Sequence, residues 1–385
     1  MDRDRLKSWC EINENALLSN VNTLRRSLAL HSKLGVVVKS NAYGHGLDLC
    51  ATIFERAGVD WLVVNSVQEV TNLRKAGIQI PIYICVQIMP TEVDEVVESQ
   101  ARVVVCDRDI VSLLAKVGRK INYSVPCHIK LETGTNRQGL NMELAIDLAK
   151  FISKEPGVHL EGLTTHFSDI EDTRNYRFTD QQHQSLRDFA SVLTELGIKF
   201  SMFHSANSAA TLLRKDLHGD LVRVGISAYG LWPSKEVALS FQSVFPEKDL
   251  PILIPALSWK AKVTQIKTVE SGSYIGYGRT FVVQKKMRIG IIPIGYYEGY
   301  DRRLSNTGYV LIDGHKSPIC GRICMNMFMV DLTNLPNVKV GSVATLLGGK
   351  GEDDVGADVL ANWMGSINYE VVSRINSEIP RLISA

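Results

Sequence analysis

LGVVVKSNAYGHGLDLCATIFERAGVDWLVV (34–64) opens on an apolar run, LGVVV (34–38). It passes through a Gly-rich segment into LDLCATIFERAG (47–58) and closes on a second apolar run, WLVV (61–64). A short β-branched run, an amphipathic stretch ending in glycine and another short run make one β–α–β unit. Runs without polar alternation are those of strands buried on both faces. The alternation continues through IPIYICV (80–86), RVVVC (102–106), CHIKL (127–131), LEGLTTH (160–166), FSMFH (200–204) and VRVGISAY (222–229). Helical patterns lie between them at 66–77, 110–118, 142–154 and 180–197, and another at 15–29 precedes the first run. Eight strand candidates predict an α/β fold, a (β/α)8 TIM-type barrel. The first turn lacks the G-x-G-x-x-G of a dinucleotide fold.

After Gly230 the pattern changes. ALSWKAKVTQIKTV (256–269), SYIGYGRTF (273–281), MRIGIIPIG (287–295) and KVGSVATLLG (339–348) are β-branched runs separated by Gly, Pro, Asn and Asp. Only one helical stretch follows, near DVLANWMGS (358–366). This predicts a mostly β C-terminal domain. The domains expected are a barrel over 14–240 and a β domain made of 1–13 plus 241–385. WCEIN (9–13) is extended and could pair with either.

The chain has 385 residues, beyond the usual size of one compact domain, so two domains are natural. Hydrophobic residues are 45% and charged residues 22%, ordinary for a globular protein. Lys and Arg total 43 against 41 Asp and Glu, and a net charge of +2 gives no electrostatic reason to expect nucleic acid or an anionic membrane. The sequence contains no apolar run long enough to span a bilayer, and MDRDRLKSWC leads into no signal-peptide pattern, so a cytoplasmic location is expected. Seven cysteines spread over a large chain read as buried thiols of a reducing compartment. Cys320 and Cys324 do not have the commonest zinc spacing and no second pair follows, so no metal site is expected.

In a (β/α)8 barrel the active site lies at the C-terminal ends of the strands. Lys39 follows the first strand directly, where apolar surroundings could favour a neutral, nucleophilic amine. Lys130 lies on strand five and Arg137 in the Gly-rich loop beyond it. His166 closes strand six, HSANS (204–208) follows strand seven, and Arg223 and Gly225 lie on strand eight. Each has a structural reading as a core histidine or a paired cation. Several such groups at one rim are harder to explain that way, because each would be costly to bury. Ser208 and the backbone near Gly225 could bind a phosphate. The residues alone suggest an amine nucleophile beside an anion site and do not identify a cofactor.

VVVKSNAYGHG (36–46) resembles the pyridoxal-phosphate attachment motif of the alanine racemase family. The resemblance runs on through HIKLETGTNRQG (128–139), THFSD (165–169), HSANS (204–208), RVGISAYG (223–230), GYGRTF (276–281), IPIGYYEG (292–299), GRICMN (321–326) and GSINYEV (365–371). It implies a two-base racemase that interconverts L- and D-alanine on pyridoxal 5'-phosphate. It also implies a homodimer whose sites are each completed by the partner's C-terminal domain, and D-alanine supply for peptidoglycan.

Carried onto these positions, Lys39 resembles the attachment lysine and the base on the D-isomer side, and Tyr277 the opposing base. Tyr43, Ser208, Gly225, Ile226 and Tyr369 resemble the phosphate-binding set. His166, Asn207 and Arg223 resemble further cofactor contacts, with Arg223 donating to the pyridine nitrogen. Arg137 and Met325 resemble substrate-carboxylate contacts, and Lys130 a lysine often carbamylated in the family. Tyr296, Arg302 and Arg322 resemble parts of the access corridor, whose acidic position falls among Asp169, Glu171 and Asp172. The family commonly has Asp where Asn326 follows Met325, and an apolar residue where Gln138 follows Arg137. Both departures lie near the substrate end. They leave a serine or broad-spectrum racemase as the alternative, ahead of a non-catalytic pyridoxal-phosphate-binding protein.

Overall fold

The computed structural model describes residues 3–244, 252–349 and 354–384. By its contacts the chain divides into two compact units. One is Leu17–Ala42 with Leu47–Ile254; the other is Met1–Ala16, Tyr43–Gly46 and Pro255–Ala385.

The first unit is the barrel. Its eight parallel strands are Lys33–Val37, Trp61–Val64, Ile82–Gln87, Arg102–Val105, Val125–Lys130, Val158–Thr164, Met202–His204 and Leu221–Val224. All eight fall on the runs read from the sequence. Val36, Leu62, Ile84, Val103, Ile129 and Leu163 are fully buried, which is why these strands show no polar alternation. Seven ladders join them, from Met202–His204 around to Leu221–Val224. The seam between those two strands carries no regular ladder. It is bridged instead by backbone bonds from the Asp220 N–H to the Phe203 carbonyl (2.8 Å) and from the Arg223 N–H to the Ala206 carbonyl (2.9 Å). The Asp220 carboxylate also accepts from the Phe203 N–H (2.7 Å).

Three helices of this unit were not anticipated: Val93–Glu98, Ser208–Leu213 and Lys235–Val244. The first two have only six residues each, too short to display a 3.6-residue period. Two strand ends also differ from expectation. The sixth strand stops at Thr164, leaving His166 beyond it, and the eighth stops at Val224, so Ile226–Tyr229 forms a 3-10 turn.

The second unit is built on a nine-stranded sheet. In spatial order its strands are Gln265–Val269, Met287–Ile292, Phe328–Asp331, His315–Cys320, Tyr309–Ile312, Val343–Leu347, Leu257–Lys262, Ser8–Asn13 and Arg381–Ser384. Every pair is antiparallel except the last, in which Ser8–Asn13 runs parallel to Arg381–Ser384. Sequence pattern left the partner of WCEIN open, and here it is flanked on both edges within this unit. Two helices follow, Ala357–Met364 and Asn368–Ser373, where the sequence suggested one. Cys320 packs among Ile275, Val283, Met287, Ile289 and Met329, and burial pushes its thiol up to about 12, a structural cysteine.

Tyr43–Gly46 belongs with this unit. Arg381 donates from Nε and Nη2 to the Gly44 carbonyl (3.1 and 2.9 Å), and Gly44 itself has φ +83°. A Cβ there would fall 1.9 Å from the Val372 carbonyl oxygen, so a side chain meets both a steric and a conformational barrier. Gly44→Ala is expected to lower stability by about 2–4 kcal/mol. Urea denaturation of the variant beside the parent protein measures it, and a loss under about 0.5 kcal/mol would contradict the packing.

Candidate active site

Lys39 leaves the first barrel strand, where the preceding Val38 N–H still bonds the Val63 carbonyl (2.8 Å). The chain then makes an uncommon turn: Ser40, Asn41, Ala42 and Tyr43 all have φ between 52 and 55°. L-residues pay about 1–2 kcal/mol each for left-handed helical backbone, so the turn must be held from outside. Glu69 is one such holder. It closes a capping box with Ser66 at the start of the Val67–Lys75 helix, and its other oxygen accepts from the Ser40 N–H (2.7 Å). The Asn41 carboxamide accepts from the Leu47 N–H (2.9 Å), tying the turn to the next helix. Within KSNAYGHG, this gives Asn41 and the glycines a physical role. Glu69 was missed in the sequence, although the S-x-x-E of its capping box is visible at 66–69.

The loop carrying Arg137 is organised by Glu132. Burial would raise this carboxyl, but the backbone N–H groups of Gly134, Thr135, Asn136 and Arg137 converge on it and hold it below the usual carboxylate range. Asn136 takes φ +50° within that turn. Gln138 reaches Cys106, yet its Nε2 is buried without a hydrogen-bond partner.

The cations of the barrel rim meet around His166. Desolvation, and then Arg223, Arg137, Lys130 and Lys39 in that order, drive its imidazole well below the usual range, so it is neutral near pH 7. The same crowding acts on Lys130, whose ammonium is brought down to about 8 by burial, Arg223 and Arg137. Among the described residues, no carboxylate forms an ion pair with Lys39, Lys130, Arg137 or Arg223. Four cations gathered without a counter-anion are costly unless an anionic ligand joins them.

A polar cradle lies in the same unit. Ser208 Oγ accepts from the Gly225 N–H (3.0 Å), which leaves the hydroxyl hydrogen free to donate outward. Asn207 is spent locally, its side chain capping the helix by accepting from the Ala210 N–H (3.0 Å). Arg223 is 8% exposed and gives Nη2 hydrogens to the carbonyls of Thr165 (2.8 Å) and Ser205 (3.2 Å).

In the β unit, Tyr43 and Tyr369 face each other with ring centroids 6.1 Å apart. Tyr277 is 72% exposed on a short turn between Gly276 (φ +75°) and Gly278 (φ +71°). A Cβ on Gly278 would lie 2.8 Å from Arg322 Nη1, so the glycine makes room for that guanidinium beside Tyr277. Gly295 plays the same part for the GRICMN loop, since a Cβ would meet the carbonyl oxygens of Cys324 and Met325 at 2.1 and 2.3 Å. The Tyr296 and Tyr297 N–H groups bond those two carbonyls (3.2 and 3.0 Å), which joins IPIGYYEG to GRICMN. Arg302 lies within electrostatic range of Cys324. Asn326 donates Nδ2–H to the Glu298 carboxylate (2.6 Å), so a carboxylate is present here after all, contributed by position 298.

The donor set suits pyridoxal phosphate. Its phosphate and phenolic oxygen would answer the unpaired cations, the Ser208 hydroxyl and Gly225 lie in the same unit, and Lys39 offers an amine for covalent attachment. Among the described residues no group of His, Cys, Asp or Glu is arranged to hold a metal ion, and no helix is long and apolar enough to cross a membrane.

Residues 12–233 match the family described as alanine racemase, N-terminal domain, and residues 256–383 the alanine racemase C-terminal domain. An alanine racemase of Leptospira interrogans is 37% identical over 386 aligned residues, covering 99% of this chain and 97% of its own. An alanine racemase of Methanococcus maripaludis is 36% identical, covering 97% and 98%. The solved structure of alanine racemase from Clostridium difficile 630 superposes with a TM-score of 0.90 at 31% identity, covering 98% of this chain and 96% of that one. That of Bacillus anthracis with bound L-Ala-P gives 0.89 at 31%, covering 98% and 95%.

Proposed function

Because the chain belongs to the alanine racemase family, we propose that it interconverts L- and D-alanine on pyridoxal phosphate, with Lys39 and Tyr277 as opposing bases. The observation that carries this reading is the convergence of Lys39, Lys130, Arg137 and Arg223 on a neutral His166 without a carboxylate among them. When bound, the cofactor supplies an electrophilic carbonyl and a ring that spreads the charge left at the substrate α-carbon.

Lys39 holds the cofactor covalently and moves the α-proton on one face. Tyr277, reaching from the partner's β domain, moves it on the other, since inversion by two bases requires groups on opposite faces of a planar carbon. Ser208 with the backbone of Gly225 and Ile226 binds the phosphate, assisted by the phenols of Tyr43 and Tyr369. Asn207 sets the geometry of that cradle through its cap. Arg223 has only donors, so it offers the pyridine nitrogen a hydrogen bond where a carboxylate would hold a proton. A cofactor held by such a donor would be a weaker electron sink, which would disfavour side reactions.

Arg137 and the Met325 backbone orient the substrate carboxylate, and Tyr296, Arg302 and Arg322 line the approach. Lys130, with its ammonium lowered to about 8, is neutral often enough near pH 7 to form a carbamate. That anion would steady Arg137 by a charge-assisted hydrogen bond.

A homodimer is part of this reading. Tyr277 and Met325 of the β unit, 72% and 55% exposed, are accessible to a second subunit, as a site completed by the partner requires. A cytoplasmic role in supplying D-alanine for peptidoglycan completes it.

Purified protein with pyridoxal phosphate, given L-alanine and separately L-serine, should form D-alanine much faster than D-serine. Comparable rates would move the assignment to a broader racemase, and no D-product from either would overturn it. Asn326→Asp sets two carboxylates against each other at Glu298 and is expected to raise the alanine KM about two- to fivefold, an effect that added salt reduces. An unchanged KM at low salt would show that the Asn326–Glu298 pair does not bear on substrate.

A further inference from the structure

Below the rim, the barrel interior holds ionisable groups that the roles above leave unused. Arg223 Nη1 is 2.5 Å from His204 Nδ1, His204 Nε2 is 2.8 Å from His128 Nδ1, and His128 Nε2 is 2.9 Å from Glu161 Oε2. Arg102 Nε lies 3.3 Å from the same Glu161 oxygen. Both histidines are fully buried.

The chain can run in only one direction. A guanidinium has no acceptor, so His204 Nδ1 must accept and Nε2 must carry the hydrogen. That hydrogen obliges His128 Nδ1 to accept, so His128 Nε2 carries its own hydrogen to the carboxylate, which can only accept. Reversing either ring sets N–H against N–H in a water-free interior. Burial keeps both imidazoles below their usual range, with Arg223 adding to the effect at each, so neither carries charge near neutral pH.

The packing is built around this line. A Cβ on Gly162 would fall 2.2 Å from His128 Nδ1, so only glycine admits the ring there. Tyr83 faces both histidines, at 4.7 Å from His128 and 5.5 Å from His204 between ring centroids.

We propose that Glu161 and His128 are positioning residues for Arg223. They fix from the carboxylate end the same His204 tautomer that Arg223 requires, so that the ring is held from both ends and the guanidinium is locked in one orientation. With one Nη1 and both Nη2 hydrogens engaged on protein acceptors, the N–H groups left over are those available to the cofactor ring. The functional half of this proposal rests on the reading of Arg223 as the pyridine donor.

The test begins with the parent protein. Histidine-selective 15N labelling of the full-length apoprotein and holoenzyme should show His128 and His204 both as neutral Nε2–H tautomers. An Nδ1–H tautomer or an imidazolium at either position overturns the proposal, and this measurement needs no variant beyond those used for assignment.

Four variants then test the function. E161Q keeps an oxygen facing His128 and Arg102, so it should preserve both tautomers and hold kcat within about twofold. E161L removes the acceptor and should redistribute the tautomers. It should also lower kcat about tenfold or more with little change in the alanine KM. G162A displaces the His128 ring without removing a charge and should reproduce that loss. Tautomers disturbed with kcat unchanged would overturn the positioning role. Normal racemisation by R223L, with the parent tautomers as expected, would instead overturn the pyridine-donor reading on which that role depends.

Discussion

Lys39→Ala is expected to abolish racemisation, by on the order of a thousandfold or more, because in the proposed mechanism it removes both the covalent tether of the cofactor and one of the two bases. The fold should not suffer. Among the described residues no hydrogen bond or ion pair holds the Lys39 side chain, and the left-handed turn beyond it is fixed by backbone contacts to Glu69 and by Asn41. The variant should therefore unfold with the parent protein when both are stripped of cofactor, yet release pyridoxal phosphate on gel filtration where the parent retains it. Retention of the cofactor together with racemisation within tenfold of the parent would remove Lys39 from the mechanism.

Tyr277→Phe is the second large effect. Loss of one of two opposing bases should cost on the order of a thousandfold in racemisation. Exchange of the α-proton of D-alanine with solvent should persist, because Lys39 serves that face alone. Monitoring deuterium incorporation and enantiomer composition in the same D-alanine sample separates the two. Equal loss of exchange and inversion would mean that Tyr277 is not a one-sided base. Its 72% exposure fits a residue used by a neighbouring subunit, and mixing tests this directly. In a statistical mixture of Lys39→Ala and Tyr277→Phe chains, half the dimers are mixed and one of their two sites is intact. About a quarter of parental activity should return. No recovery after verified subunit exchange would overturn the shared site.

The eight barrel strands were legible because each is a local property of three to seven largely buried residues. The family motif at 36–46 was legible as an ordered string, and Glu69 could have been found from its capping box. Short helices such as Ser208–Leu213 escaped because one and a half turns carry no period. Gly225 and His166 were placed on strands that end just before them, since pattern does not specify where a ladder gives way to a turn.

Sequence by itself determined the barrel, the β domain after it and the identity of the lysine at the first strand's end, because side-chain period and motif order are written along the chain. Tertiary structure alone decided which edges WCEIN joins, how Glu298 faces Asn326, and that four cations from three strands and their following loops converge on His166. It also decided the line from Arg223 to Glu161, whose members lie 19, 76 and 33 positions apart. Hydrogen-bond direction and charge crowding depend on distances in space, and no local pattern encodes them.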